Sequence, residues 1–192
     1  MINEDLLAHS MIKKPVIFKR CFEILASYPA QEIGYTKILG ELQEKGNVEI
    51  VKHYISLYEA AFLFKTIHKY TTRLLQQRSS SPKIIPLAPA LSRFSQIKCD
   101  YGRIFEAAVG AELLKLDGEL YYWREKDDEV DYVLSYRDKL YAIEVKYGKD
   151  KSKKGLNAFI KKFPNAIPLM ITPNEYSILC KNAPTFFEAL EL

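Results

Sequence analysis

Apolar residues along the N-terminal third recur with the 3.6-residue period of amphipathic helices. Ile17, Phe18, Cys21, Ile24 and Leu25 form one stripe, which Tyr28-Pro29 closes. Ile38, Leu39 and Leu42 form a second stripe within Tyr35–Gln43. After a turn at Gly46-Asn47, Val48, Val51, Tyr54, Ile55 and Tyr58 form a third. From Phe62 to Tyr70 the pattern changes to the alternation of a strand, and Lys83–Leu87 is placed to return antiparallel to it. Three helices followed by a two-stranded hairpin is the order of a winged helix. The third helix would turn Glu49, Lys52, His53, Ser56 and Glu59 outward, a face that is not basic. Helices that read DNA usually carry Arg, Lys, Asn or Gln there, so DNA contact and simple packing or docking both stay open.

The turn-rich stretch QQRSSSP, Gln76 to Pro82, separates this part from the rest and predicts units at 1–80 and 83–192. Beyond it, Ile104, Phe105, Val109, Leu113 and Leu116 mark the apolar side of a helix in RIFEAAVGAELLKL. Strands follow at Leu120–Arg124, Val130–Tyr136 and Leu140–Lys146. A helix through Leu156–Phe163 ends at Pro164-Asn165, the apolar run Ile167–Thr172 suits a buried strand, and FFEALEL suits a short last helix. Helix, three strands, helix, strand predicts an α/β sandwich around a mixed sheet.

Composition narrows the class. The chain has 192 residues, 48% hydrophobic and 27% charged, ordinary values for a globular protein. A net charge of +4 with a pI near 8.8 is only mildly basic. Cys21, Cys99 and Cys180 are scattered, which fits reduced thiols better than a disulfide framework. His9, His53 and His68 show no zinc-ligand spacing. No apolar run approaches the ~18 residues of a membrane span, and the N-terminus has no signal-peptide core, so a cytoplasmic location is expected.

The chemistry concentrates in the second and third strands of this part. With a tight turn centred on Arg137-Asp138, Tyr136 faces Lys139 and Asp131 falls opposite Glu144. Asp131, Glu144 and Lys146 then converge on one face. Val130, Tyr132, Leu134, Tyr141, Ile143 and Val145 occupy the other, suited to a core. The plain reading is an ion-paired strand surface. The sharper one is a Mg²⁺ or Mn²⁺ site, since facing carboxylates repel unless a cation joins them. There Asp131 and Glu144 would bind metal and Lys146 would assist an attacking water. Glu106, placed on the helix side opposite much of its apolar stripe, would add a carboxylate for catalysis and metal. Lys149, Lys151, Lys153 and Lys154 follow directly and would track a phosphate backbone, or else form a solvated loop.

Asp131 followed by Glu144-Val145-Lys146, with Glu106 on the preceding helix, resembles the motif of PD-(D/E)xK phosphodiesterases. The blocks GRIFEAAVGAELL, YYWREKDDEVDYVL and YAIEVKYG, in this order, are similar to an uncharacterised domain C-terminal to the ATPase module of bacterial and archaeal AAA-type ATPases. The resemblance covers about Met11 to Phe163 and implies a winged-helix-like segment followed by a restriction-endonuclease-like sandwich. It also implies DNA as substrate, and an ATPase module in cis or in trans as partner. No GxxxxGK[ST] phosphate loop is present in these residues. Where that domain has an acidic residue and glycine after the hairpin, this chain reads PLAPALS. A nuclease and a non-catalytic module on the same fold are the two functions expected.

Overall fold

The three N-terminal stripes close on one another. In the computed structural model, which describes residues 12, 14–43, 47–72, 80–148 and 152–190, they form α1 (Pro15–Ala26), α2 (Tyr35–Glu41) and α3 (Val48–Ala60). Pro15 opens α1 at a position where its missing N–H costs nothing. Asn47 caps α3 by accepting from the Glu49 N–H. Phe18, Cys21, Phe22, Leu25, Ile38, Val51, Tyr54 and Tyr58 fill the space between them. Gly46, in the predicted turn, and Gln76–Ser79, in the predicted boundary, lie outside the described residues.

The hairpin follows as predicted, with β2 (Phe64–Lys69) antiparallel to β3 (Lys83–Pro86). It starts two residues later than the alternation suggests, because Phe62 takes a left-handed φ of 55° in the turn and is 81% exposed. Alternation then divides the hairpin between two cores. Phe64 and Ile84 join the N-terminal helices, whereas Ile67 and Ile85 join the C-terminal core. Lys83 shares the parity of Ile85, and that parity aims its ammonium at the C-terminal part.

β1 (Gln31–Glu32) and the strands β4 (Glu119–Glu125), β5 (Asp128–Tyr136), β6 (Lys139–Val145) and β7 (Ile167–Ile171) complete one mixed seven-stranded sheet, ordered β1-β3-β2-β4-β5-β6-β7. The β2–β4 and β6–β7 pairs are parallel and the others antiparallel. The sheet therefore runs without a break through both predicted units, joined where His68 faces Tyr121.

Helices cover both faces, giving the expected α/β sandwich. On one side α4 (Tyr101–Leu113), α6 (Pro173–Lys181) and α7 (Ala183–Glu188) pack through Val109, Leu113, Leu179, Phe186 and Phe187 onto Tyr132, Leu134 and Tyr141. On the other, α5 (Lys154–Lys162) packs Leu156 and Phe159 onto Trp123, Val130, Val133 and Ala142. The apolar pattern predicts no helix at α6. Its start is nonetheless written in Thr172-Pro-Asn-Glu175, a capping box with proline in the first turn.

Two glycines set close approaches. A Cβ on Gly155 in α5 would lie 1.7 Å from the Glu129 carbonyl oxygen, and one on Gly110 in α4 would lie 2.5 Å from the Tyr132 hydroxyl. Gly40 in α2 has open space around it. Gly155→Ala should therefore cost about 3 kcal/mol by overpacking against backbone. Gly40→Ala should add roughly 0.5–1 kcal/mol through helix propensity. Urea unfolding of the two variants beside wild type checks both signs.

Candidate active site

The β5–β6 hairpin turns at Arg137-Asp138, both left-handed at φ 49° and 60°, a two-residue turn made without glycine. The turn fixes the predicted register, from Tyr136 opposite Lys139 through Tyr132 opposite Ile143. Pairing stops one residue short of Asp131 and Glu144. There the Val145 N–H donates to Asp131 Oδ2 at 2.8 Å, so a carboxylate takes the place of the next ladder carbonyl.

A bulge explains the change. Tyr121 faces Val133 and Trp123 faces Val130, so β5 holds one more residue than β4 over this span. Val130 accordingly packs with Trp123 and Leu156 on the α5 side, while Tyr132 packs on the α4 side. This corrects the expectation that Val130 and Tyr132 share a face. The extra residue lies between them and includes Asp131, which is re-aimed from its simple alternating direction.

Burial is the most informative feature of the site. Among the described residues the buried charged side chains are Lys83, Glu106, Asp131 and Glu144, and all four meet here. Charged groups are seldom fully buried, and clusters of them in a cleft are functional-site candidates. Glu106 is only 6% exposed, not on an open helix face as its position opposite the apolar stripe suggested. From residue 106 to residue 111 every position of α4 is buried.

Lys83 was missed by sequence reasoning. Its Nζ donates to Glu106 Oε1 at 2.5 Å and to the Asp131 carbonyl at 3.0 Å, and it lies 4.8 Å from the centre of the Tyr132 ring. Arg103 Nη1 donates to Glu106 Oε2 at 3.0 Å, one turn earlier on α4. Tyr132 donates its hydroxyl to the Glu106 carbonyl at 2.8 Å, crossing the space that Gly110 leaves open. The available signal was weak: a lysine in the apolar strand KIIP, on the parity of Ile85.

Glu144 and Lys146 form the second pair, with Lys146 Nζ 2.8 Å from Glu144 Oε1. Glu144 Oε2 is buried and has no hydrogen-bond partner among the described residues. Burial raises the Glu144 pKa, against the pull of Lys146. Burial first, and then the charge of Glu106, push Asp131 up to about 7, while Lys83 opposes the shift. A cleft of about 220 Å³ opens over Arg103, Glu106, Asp131, Glu144, Lys146 and Tyr147.

Asp131, Glu144 and Lys146 thus lie at one cleft with Glu106, whose two oxygens are taken by Lys83 and Arg103. Asp131 and Glu144 supply the carboxylates open to a cation, and the unpartnered Glu144 oxygen fits one. Among the described residues no group of three His, Cys, Asp or Glu is arranged to hold a metal. Lys149 and Lys151 lie outside the described residues. Lys153 and Lys154 are exposed at the start of α5, where Lys154 pairs with Asp128 at 3.0 Å.

Residues 101–186 match a domain of unknown function (DUF4143), and residues 1–94 match another domain of unknown function (DUF8612). No curated protein and no solved structure matches the chain. The two matched stretches place Lys83 in the first and Glu106, Asp131, Glu144 and Lys146 in the second. The buried Lys83–Glu106 pair therefore joins them. No helix among the described residues is long and apolar enough to cross a membrane.

Lys83→Met leaves Glu106 and Asp131 without their buried cation and should cost about 3–5 kcal/mol; Lys83→Met with Glu106→Leu should cost less than Lys83→Met alone. Chemical denaturation of single and double variants tests this. Between about pH 4 and pH 7 the folded chain keeps a proton on Asp131 that the unfolded chain has released. Stability should fall as pH rises through that window, and Asp131→Asn should flatten the fall. Melting temperatures across the window, without divalent ions, read the slope.

Proposed function

We propose that Asp131, Glu144 and Lys146 form a metal-dependent phosphodiesterase site acting on DNA, of the PD-(D/E)xK kind, on a restriction-endonuclease-like sandwich. The observation that supports it most is the buried, unpartnered Glu144 oxygen beside a second carboxylate of raised proton affinity. Structural ion pairs seldom leave a buried carboxylate oxygen bare, because desolvation without a partner is costly.

Asp131 and Glu144 would hold Mg²⁺ or Mn²⁺, which need only one or two protein carboxylates beside water and phosphate oxygens. When bound, such an ion polarises a phosphate and lowers the pKa of a coordinated water. Lys146 places an ammonium at the same cleft, where it can orient the attacking water and offset negative charge developing on phosphorus oxygens. Glu106 serves as a positioning residue, with its charge held by Lys83 and Arg103. Lys153 and Lys154, with Lys149 and Lys151 before them, supply cations for the flanking backbone.

A non-catalytic module is the second reading. It draws on the engagement of Glu106 by two cations and on the lack, among the described residues, of a three-donor metal group. In that reading the same fold docks DNA or an ATPase module in cis or in trans.

Labelled single-stranded, duplex and flap DNA incubated in Mg²⁺ or Mn²⁺ separates the two. Cleavage by wild type, lost in Asp131→Ala and Lys146→Ala, is the expected result; DNA or protein binding without cleavage would assign the docking role. Either ion at ~100 times its Kd should stabilise wild type by about 2.7 kcal/mol, and Asp131→Ala should lose that gain.

A further inference from the structure

A second cleft, of about 240 Å³, adjoins the first and shares Arg103, Glu129 and Asp131 with it. It opens between β1 at the sheet edge and the β4–β5 pair, so the N-terminal part forms one wall through Gln31 and Glu32. Its most accessible cation is Arg124, 48% exposed, on β4. Arg124 Nε pairs with Glu32 Oε1 at 3.2 Å, and Arg124 Nη2 pairs with Glu129. Arg103, 41% exposed, stands where the two clefts meet and donates from Nη1 to Glu106. An arginine presents five donors in a fork that matches phosphate oxygens, so each of these can accept a phosphate beside its present carboxylate.

Deepening the phosphodiesterase reading and resting on it, we infer that this second cleft is the track for the polynucleotide backbone on one side of the carboxylates. Arg103 binds the phosphate nearest Asp131, and Arg124 binds the next one outward. Glu32 competes with that phosphate for Arg124. Glu32 thereby makes the N-terminal part a brake on binding as well as a wall of the site. This differs from a track along the Lys149–Lys154 segment, which follows β6.

Glu32→Gln separates a competing carboxylate from a merely structural ion pair. Glu32 is only 23% exposed in this pair, so the melting temperature of each variant is measured beside its binding and only a folded variant is compared with wild type. Binding is read in EDTA with short labelled single-stranded DNA and RNA of one sequence, over a salt series, and cleavage is read separately in Mg²⁺. Arg124→Gln should weaken binding roughly tenfold and reduce the salt slope by about one phosphate contact. Glu32→Gln should tighten binding severalfold, and Lys153→Ala with Lys154→Ala should change it less than Arg124→Gln does. The DNA and RNA arms show which backbone the cleft takes.

Unchanged binding in both Arg124→Gln and Glu32→Gln, with wild type binding DNA or RNA, would overturn the inference even if wild type cleaves. The expected binding changes in a protein that cleaves nothing would uphold the track while removing the phosphodiesterase reading. A wild type that binds neither nucleic acid in EDTA would overturn the track, and the absence of cleavage in Mg²⁺ as well would remove both readings.

Discussion

One ammonium group makes the rest of the site possible. Lys83 Nζ sits among Glu106, the Asp131 carbonyl and the Tyr132 ring, where almost no solvent reaches it. The Glu106 carboxylate is buried against it, and the Lys83 charge opposes the rise in proton affinity that burial and Glu106 impose on Asp131. The pair with Glu106 holds β3 against α4 and so fixes where that helix crosses the sheet. A buried pair of this kind is a poor source of net stability, since desolvating both charges offsets most of their attraction. What it does supply is a fixed geometry, at the cost of severe disruption when either partner is removed.

Around that cation the backbone makes two unusual provisions. The bulge in β5 breaks the simple alternation at Asp131 and ends the β5–β6 ladder one step early. The Asp131 carboxylate then takes the Val145 N–H that the ladder would have used. Gly110 and Gly155 let α4 and α5 approach β5 from opposite sides, against the Tyr132 hydroxyl and the Glu129 carbonyl. Together they clamp the strand that carries Asp131 while Glu144 stays at the cleft with one oxygen unpartnered.

The continuous sheet gives the two matched stretches a shared site. β2 pairs in parallel with β4, and both clefts that flank Asp131 contain Arg103, with Gln31, Glu32 and Lys83 of the N-terminal part lining the outer one. The polar stretch at Gln76–Pro82 marks no break in the sheet, because a strand on each side of it enters the same sheet. The site is built across the boundary.

The sequence by itself determined the local elements and the hairpin register, because both follow from short-range rules. Helical stripes place Phe18, Tyr54 and Tyr58 in one core. A two-residue turn at Arg137-Asp138 aligns β5 with β6, and Glu144 and Lys146 share a strand face two residues apart. The capping box at Thr172 is equally legible. Only the tertiary structure decided that Glu106 is buried, that Lys83 meets it across 23 residues of chain, and that Asp131 leaves its alternating position. Those outcomes depend on how α4 packs onto the sheet and on a one-residue bulge. Packing partners and bulges arise from contacts between distant segments, which no periodicity along the chain records.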